Sequence, residues 1–131
     1  MSCLHGIGAH GILFYMTDTN LKLKPEEYLV REGEESNEMF YLQNGTLAVF
    51  KRKGNGEQQI GTIYSGELVG EMSFFDNKPR SASVKAISDC ELVCIPRAKM
   101  DSLHRQLPPW FKALVNTLLD RLRRANTRVR I

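Results

Sequence analysis

The chain has 131 residues, 42% of them hydrophobic and 25% charged, and a formal net charge of +3. That length supports one domain with an ordinary core that needs neither disulfides nor metal, and the composition excludes a disordered or fibrous chain. The apolar run from Gly11 to Met16 is too short to cross a bilayer, and the amino-terminal end lacks the basic flank and long apolar stretch of a signal peptide, so the expected location is the cytoplasm, away from membranes.

Residues 1–18 have no readable period, because Gly6, Gly8 and Gly11 interrupt it, and the segment stays unassigned; His5 and His10 have no partner ligand nearby. From Asn20 the texture changes to short strand-like runs set apart by turn residues. Leu21 and Leu23 alternate with lysines, Tyr28 to Val30 follow Pro25-Glu26-Glu27, and Gly33 makes the next corner. In MFYLQNGTLAVF (Met39 to Phe50), Asn44-Gly45 lies between two apolar runs and predicts a hairpin with a tight turn. Gly54-Asn55-Gly56 repeats the device one strand later, and Ser65-Gly66 marks another turn. Ser83 to Ala86 and Glu91 to Ile95 read as two further strands, with Cys90 and Cys94 as small buried apolar residues of a reducing compartment. Many short strands at regular spacing predict a mainly β fold, a roll, sandwich or small barrel, over a doubly wound α/β one.

A helical texture takes over at Lys99 to Leu103, and Pro108-Pro109 opens a long amphipathic helix to Ile131. The expected division is therefore 1–18 unassigned, 19–108 a β-roll and 109–131 a C-terminal helix. Within the helix Phe111, Val115, Leu118, Leu122, Ala125 and Val129 follow heptad spacing, which predicts a parallel homodimer. Leu114 and Leu119 are expected to pack on the chain's own β-roll. The helix carries six Lys or Arg against Asp120 alone, a net of +5 that leaves −2 on the rest of the chain. Such a tail suits a nucleic acid or acidic partner, or a solvated helix face.

Between strands and helix lies GELVGEMSFFDNKPRSASVKA (Gly66 to Ala86). Gly70-Glu71-Met72-Ser73, a short helix, then Pro79-Arg80-Ser81-Ala82-Ser83-Val84 resembles the phosphate-binding cassette of the cyclic nucleotide-binding domain superfamily, and Arg31-Glu32-Gly33 and Met39 to Gly45 resemble its upstream motifs. The similarity covers roughly Leu21 to Ile95 and implies a jelly-roll-like β-roll with a short helix in the cassette and a long C-terminal helix. The chemistry of the residues agrees with it. A cyclic phosphate is a compact monoanion, and the free amides of a helix's first turn at Glu71, Met72 and Ser73 suit it. Gly70 allows close backbone approach. Arg80 would add a planar charged fork, and a charge-assisted contact of this kind contributes about 1.5–3 kcal/mol. Ionised Glu71 accepts hydrogen bonds and would face a ribose hydroxyl. Ser81 can add a hydroxyl to the phosphate or the base, and Ala82 with Ser83 keeps the wall low. A Glu71–Arg80 structural ion pair is the competing reading.

Similarity to the catabolite activator branch further implies that Asn126 and Thr127 meet the base, with Arg123 or Arg124 as the other candidates. That branch's DNA-reading domain is not expected within these 131 residues. The resulting expectation is a stand-alone receptor for cAMP or cGMP, with no cofactor, no metal and no catalysis, signalling through its C-terminal helix to an unidentified protein partner. The alternatives are a scaffold of the same fold that binds no nucleotide, a cupin-like metalloenzyme, for which His5, His10 and His104 fall outside the roll, and a nucleic-acid-binding tail.

Overall fold

The computed structural model describes residues 19–129, without the side chains of residues 19, 72, 73 and 126–129. The unassigned segment 1–18 lies outside this description. Among the described residues eight strands run in order β1 (Thr19–Leu23), β2 (Tyr28–Val30), β3 (Glu38–Asn44), β4 (Thr46–Lys53), β5 (Gly56–Tyr64), β6 (Leu68–Val69), β7 (Ser83–Ala86) and β8 (Cys90–Pro96). Three helices interrupt or follow them: α1 (Glu71–Asp76), α2 (Arg97–Arg105) and α3 (Pro109–Val129). The strands form two antiparallel four-stranded sheets, ordered β1-β8-β3-β6 and β2-β7-β4-β5. This is the mainly β roll that the strand texture implied.

Period-two patterning turns one face of each sheet inward. Phe40 and Leu42 of β3 and Cys90, Leu92 and Cys94 of β8 meet Leu47 of β4 and Val84 and Ala86 of β7 in a single core. Leu42, Leu47 and Leu92 are fully buried; burying a leucine side chain of this kind stabilises the fold by about 1.5–3 kcal/mol each. Cys90 is the small buried thiol that its position suggested. Cys94 is also buried, but it is disulfide-bonded, so the reading as a simple reduced core residue holds for Cys90 alone.

The Gly54-Asn55 signal forms the expected hairpin: Lys53 pairs with Gly56, and Gly54 takes a φ of 60°. Positive φ at the first central residue suits a two-residue loop whose twist matches its strands. Asn44-Gly45 does something else. It is not a hairpin turn, because β3 pairs with β6 and β8 whereas β4 pairs with β5 and β7. Here the chain crosses from one sheet to the other. Gly45 has a φ of 101°, and a Cβ there would lie 2.7 Å from the Cys90 Sγ and against the Asp89 carbonyl. The crossing thus needs glycine both for its backbone and for its space.

At the C-terminal end, Pro109 opens α3 where no amide donor is needed, and the Pro108 carbonyl accepts from the amides of Phe111 and Lys112. The helix's inward face differs from the expectation. Val115 and Leu119 line a small cavity with Phe74, Phe75 and Met100, whereas Leu114 is 45% exposed. Leu114 therefore does not pack on the roll, and Val115 leaves the proposed seam for the inward stripe. The reason is where α1 lies, since α3 packs against the cassette helix rather than a flat sheet. No helix among the described residues is long and apolar enough to cross a membrane.

Candidate functional site

The site is built where β6, α1 and the turn before β7 meet. Gly70 follows β6 with a φ of 79°, and its carbonyl accepts from the Phe74 amide, closing the first turn of α1. The amides ahead of Phe74 have no earlier carbonyl in the helix to donate to. Phe74 is buried and Phe75 half-buried, their rings meeting edge to face, so both are core residues anchoring α1.

Arg80 is fixed before its side chain is considered. Its amide donates to the Glu34 carbonyl at 2.8 Å, and its carbonyl accepts from the Gly33 amide at 2.9 Å. The corner read from Arg31-Glu32-Gly33 thus clips the arginine's backbone in place. Gly33 meets this geometry with a φ of 91°. The side chain is then drawn inside: the residue is only 4% exposed, and Nη2 donates to the Glu38 carbonyl at 2.6 Å. Nη1 lies in the space that a Cβ on Gly70 would occupy. Nε and Nη1 are buried and make no hydrogen bond among the described residues.

Two donors on a buried guanidinium without acceptors are costly. Burial lowers the Arg80 pKa, the charges of Glu38 and Glu34 raise it, and that of Arg97 lowers it. An arginine stays protonated in such a place, so the unmatched donors call for an anion. Nη1 abuts Gly70, the residue directly before α1. A cleft of about 530 Å³ is lined by Glu34, Glu35, Glu38, Tyr28 and Arg31 as well as Arg80. Its lining sets three carboxyl groups against two arginines, a less favourable seat for a phosphate than a site of donors alone.

The remaining residues fall into place unevenly. Glu71 is half-buried and makes no hydrogen bond or ion pair among the described residues, so the Glu71–Arg80 pair does not form. Ser81 is exposed and Ala82 half-buried in the turn after Arg80. Ser83 is buried and its Oγ accepts from the Glu32 amide at 2.9 Å, so it braces the same corner that clips Arg80. The side chains of Met72, Ser73, Asn126 and Thr127 lie outside the described residues. Arg123 pairs with Asp76 at the end of α1 and with Asp120, which ties α3 to the cassette helix. Sequence reading missed Arg97, whose guanidinium reaches both the loop before β3 and α1; its only local sign was a cation directly after the last strand.

Comparison with known proteins bears on this geometry. Residues 20–106 match the family model described as Cyclic nucleotide-binding domain. The cyclic AMP receptor protein of Thermus thermophilus is 29% identical over 124 residues, covering 93% of this chain and 57% of that protein. The human potassium/sodium hyperpolarization-activated cyclic nucleotide-gated channel 4 is 30% identical over 101 residues, covering 77% of this chain and 8% of the channel. Among solved structures, the catabolite activator protein of Thermus thermophilus superposes with a TM-score of 0.71 at 26% identity, covering 96% of this chain and 60% of that one. A cAMP-bound form of the EAL enzyme Bd1971 gives 0.68 at 25% identity, covering 85% and 30%. The chain thus spans little more than half of the receptor protein and a small part of the channel.

Proposed function

The chain belongs to the cyclic nucleotide-binding domain family, and from that premise we propose that it is a receptor for cAMP or cGMP that reports its ligand through α3 to a protein partner. The observation that carries the reading is Arg80, whose buried Nε and Nη1 have no acceptor while Nη1 abuts Gly70. The cyclic phosphate takes these two donors and the amides at the start of α1. Glu71 accepts from the ribose hydroxyl, and Ser81 and Ala82 form the wall beside the phosphate. Met72 and Ser73 contribute backbone amides, and Asn126 and Thr127 approach the base from α3. The protein acts as a cytoplasmic binding module and performs no chemistry on the nucleotide.

The outer face of α3 supports its role as the output. Phe111, Leu118 and Leu122 from the heptad seam are exposed, as are Leu114 and Trp110. Such a contiguous apolar stripe is suited to a partner helix. We place the homodimer contact there, with Ala125 and Val129 continuing the stripe and Leu114 taking the position first given to Val115. Ligand state alters this contact only to the extent that the two helix positions differ in nucleotide affinity.

Calorimetric titration of the refolded, nucleotide-stripped chain with cAMP and cGMP tests the reading, with Arg80→Ala as control. Micromolar or tighter binding that the substitution abolishes is the expected result and also gives the base preference. Absence of heat with both nucleotides, from protein shown to be folded, would sink the receptor reading and leave a scaffold of the same fold.

A further inference from the structure

We infer that Arg97 is a positioning residue for the anion pocket, an assignment that rests on the receptor reading and adds to it a side chain outside the cassette. The first residue of α2, Arg97 has its backbone amide 3.1 Å from the Asn37 carbonyl, to which it donates. Its Nη2 donates to the Ser36 carbonyl at 2.8 Å and to the Phe74 carbonyl at 2.9 Å. The next carbonyl along, that of Glu38, accepts from Nη2 of Arg80. Three consecutive carbonyls, of Ser36, Asn37 and Glu38, are therefore held by two arginines. Arg97 takes the first two and Arg80 the third.

The same guanidinium controls the opposite wall. It lies 4.2 Å from the centroid of the Phe74 ring, a side chain only 2% exposed, while bonding the Phe74 carbonyl in α1. One planar cation thus sets the distance between the strand-entry loop that orients Arg80 and the helix whose first turn faces it. Both bonds come from one nitrogen, Nη2, so what a lysine ammonium cannot reproduce is the planar guanidinium face laid on the Phe74 ring while that nitrogen donates. Errors of a fraction of an ångström between two halves of a charged pocket weaken binding, because both must meet the ligand at once.

A residue that only held the fold together would lower stability and leave the folded protein's affinity alone. The test is calorimetry with cAMP, or cGMP if the wild type prefers it, on the wild-type chain, Arg97→Lys, Arg80→Lys and the double variant, each confirmed folded at the assay temperature by circular dichroism. We expect Arg97→Lys to weaken binding about tenfold, and the same change in the Arg80→Lys background to cost about threefold or less, since coupled residues are non-additive. A loss below about twofold in the wild-type background, or equal losses in both, overturns the assignment. Should Arg97→Lys not fold, Phe74→Leu, which removes the ring under the guanidinium but keeps the site apolar, has the same expected and overturning results. Failure of the wild type itself to bind would overturn the receptor reading and this assignment together, whereas wild-type binding indifferent to Arg97 overturns this assignment alone.

Discussion

Nη1 of Arg80 fills the space that a side chain at Gly70 would take. The two positions are read ten residues apart in the chain, yet they define one surface, and the glycine's φ of 79° brings the backbone to it. Gly70→Ala would displace the guanidinium and strain the backbone together. We expect at least a tenfold loss of nucleotide affinity and a stability loss of about 1–3 kcal/mol. Calorimetry and a urea melt read the two effects separately; unchanged affinity would show that Arg80 does not need this seat.

Arg80 itself should lower the stability of the ligand-free protein. Its buried Nε and Nη1 carry a desolvation cost that only a ligand offsets. Replacing it with methionine, an unbranched apolar residue of similar reach, should abolish nucleotide binding while leaving the apo thermal midpoint equal or higher. A methionine variant that melts well below the wild type would mean that the bond to the Glu38 carbonyl outweighs the unmatched donors.

Glu38 gives the fold a pH dependence of definite sign. Burial raises its carboxyl pKa above the ordinary range, Arg80 opposes the rise and Glu34 adds to it. The folded state therefore keeps this proton at pH values where the unfolded chain has lost it. Stability from this source is complete below the ordinary glutamate pKa and is lost as pH rises through the raised folded value. Glu38→Gln cannot titrate, so the wild type should lose urea stability relative to it between mildly acidic and neutral pH. A difference between the two that does not vary over that interval would contradict the assignment.

How much of this was legible from the sequence depended on whether a residue's partners are local. Gly54-Asn55 read correctly because a two-residue loop and the strands it joins form one contiguous unit. Asn44-Gly45 carries the same local signature, but that signature encodes only a sharp change of direction with positive φ. That β3 and β4 part into different sheets is decided by later strands, β6 and β8 for β3 and β7 for β4. The cassette residues Gly70 and Arg80 were visible as a pattern, whereas Arg97 was not, since its partners Ser36 and Phe74 stand 61 and 23 positions away. The inward face of α3 was misjudged at Leu114 for a related reason. Heptad spacing identifies an apolar stripe and leaves open which flank of it the cassette helix covers.

That cover includes, among the described residues, a polar tie, the pairing of Arg123 on α3 with Asp76 at the end of α1. Asp76 sits where a carboxylate meets the negative end of a helix, an unfavourable placement unless a cation offsets it. Arg123, its pKa raised first by the hydrogen bond to Asp76 and also by Asp120, supplies that cation. Asp76→Asn weakens the tie but relieves the helix end, so the global thermal midpoint should change little. Local opening of α3 should not be so insulated. Hydrogen exchange over residues 115–125 is expected to accelerate several-fold in Asp76→Asn, and high salt should produce part of the same acceleration in the wild type but none in the variant. Exchange that is unchanged in Asp76→Asn would mean that Val115 and Leu119 alone seat the helix, and that a ligand-driven movement of α1 reaches α3 through apolar packing.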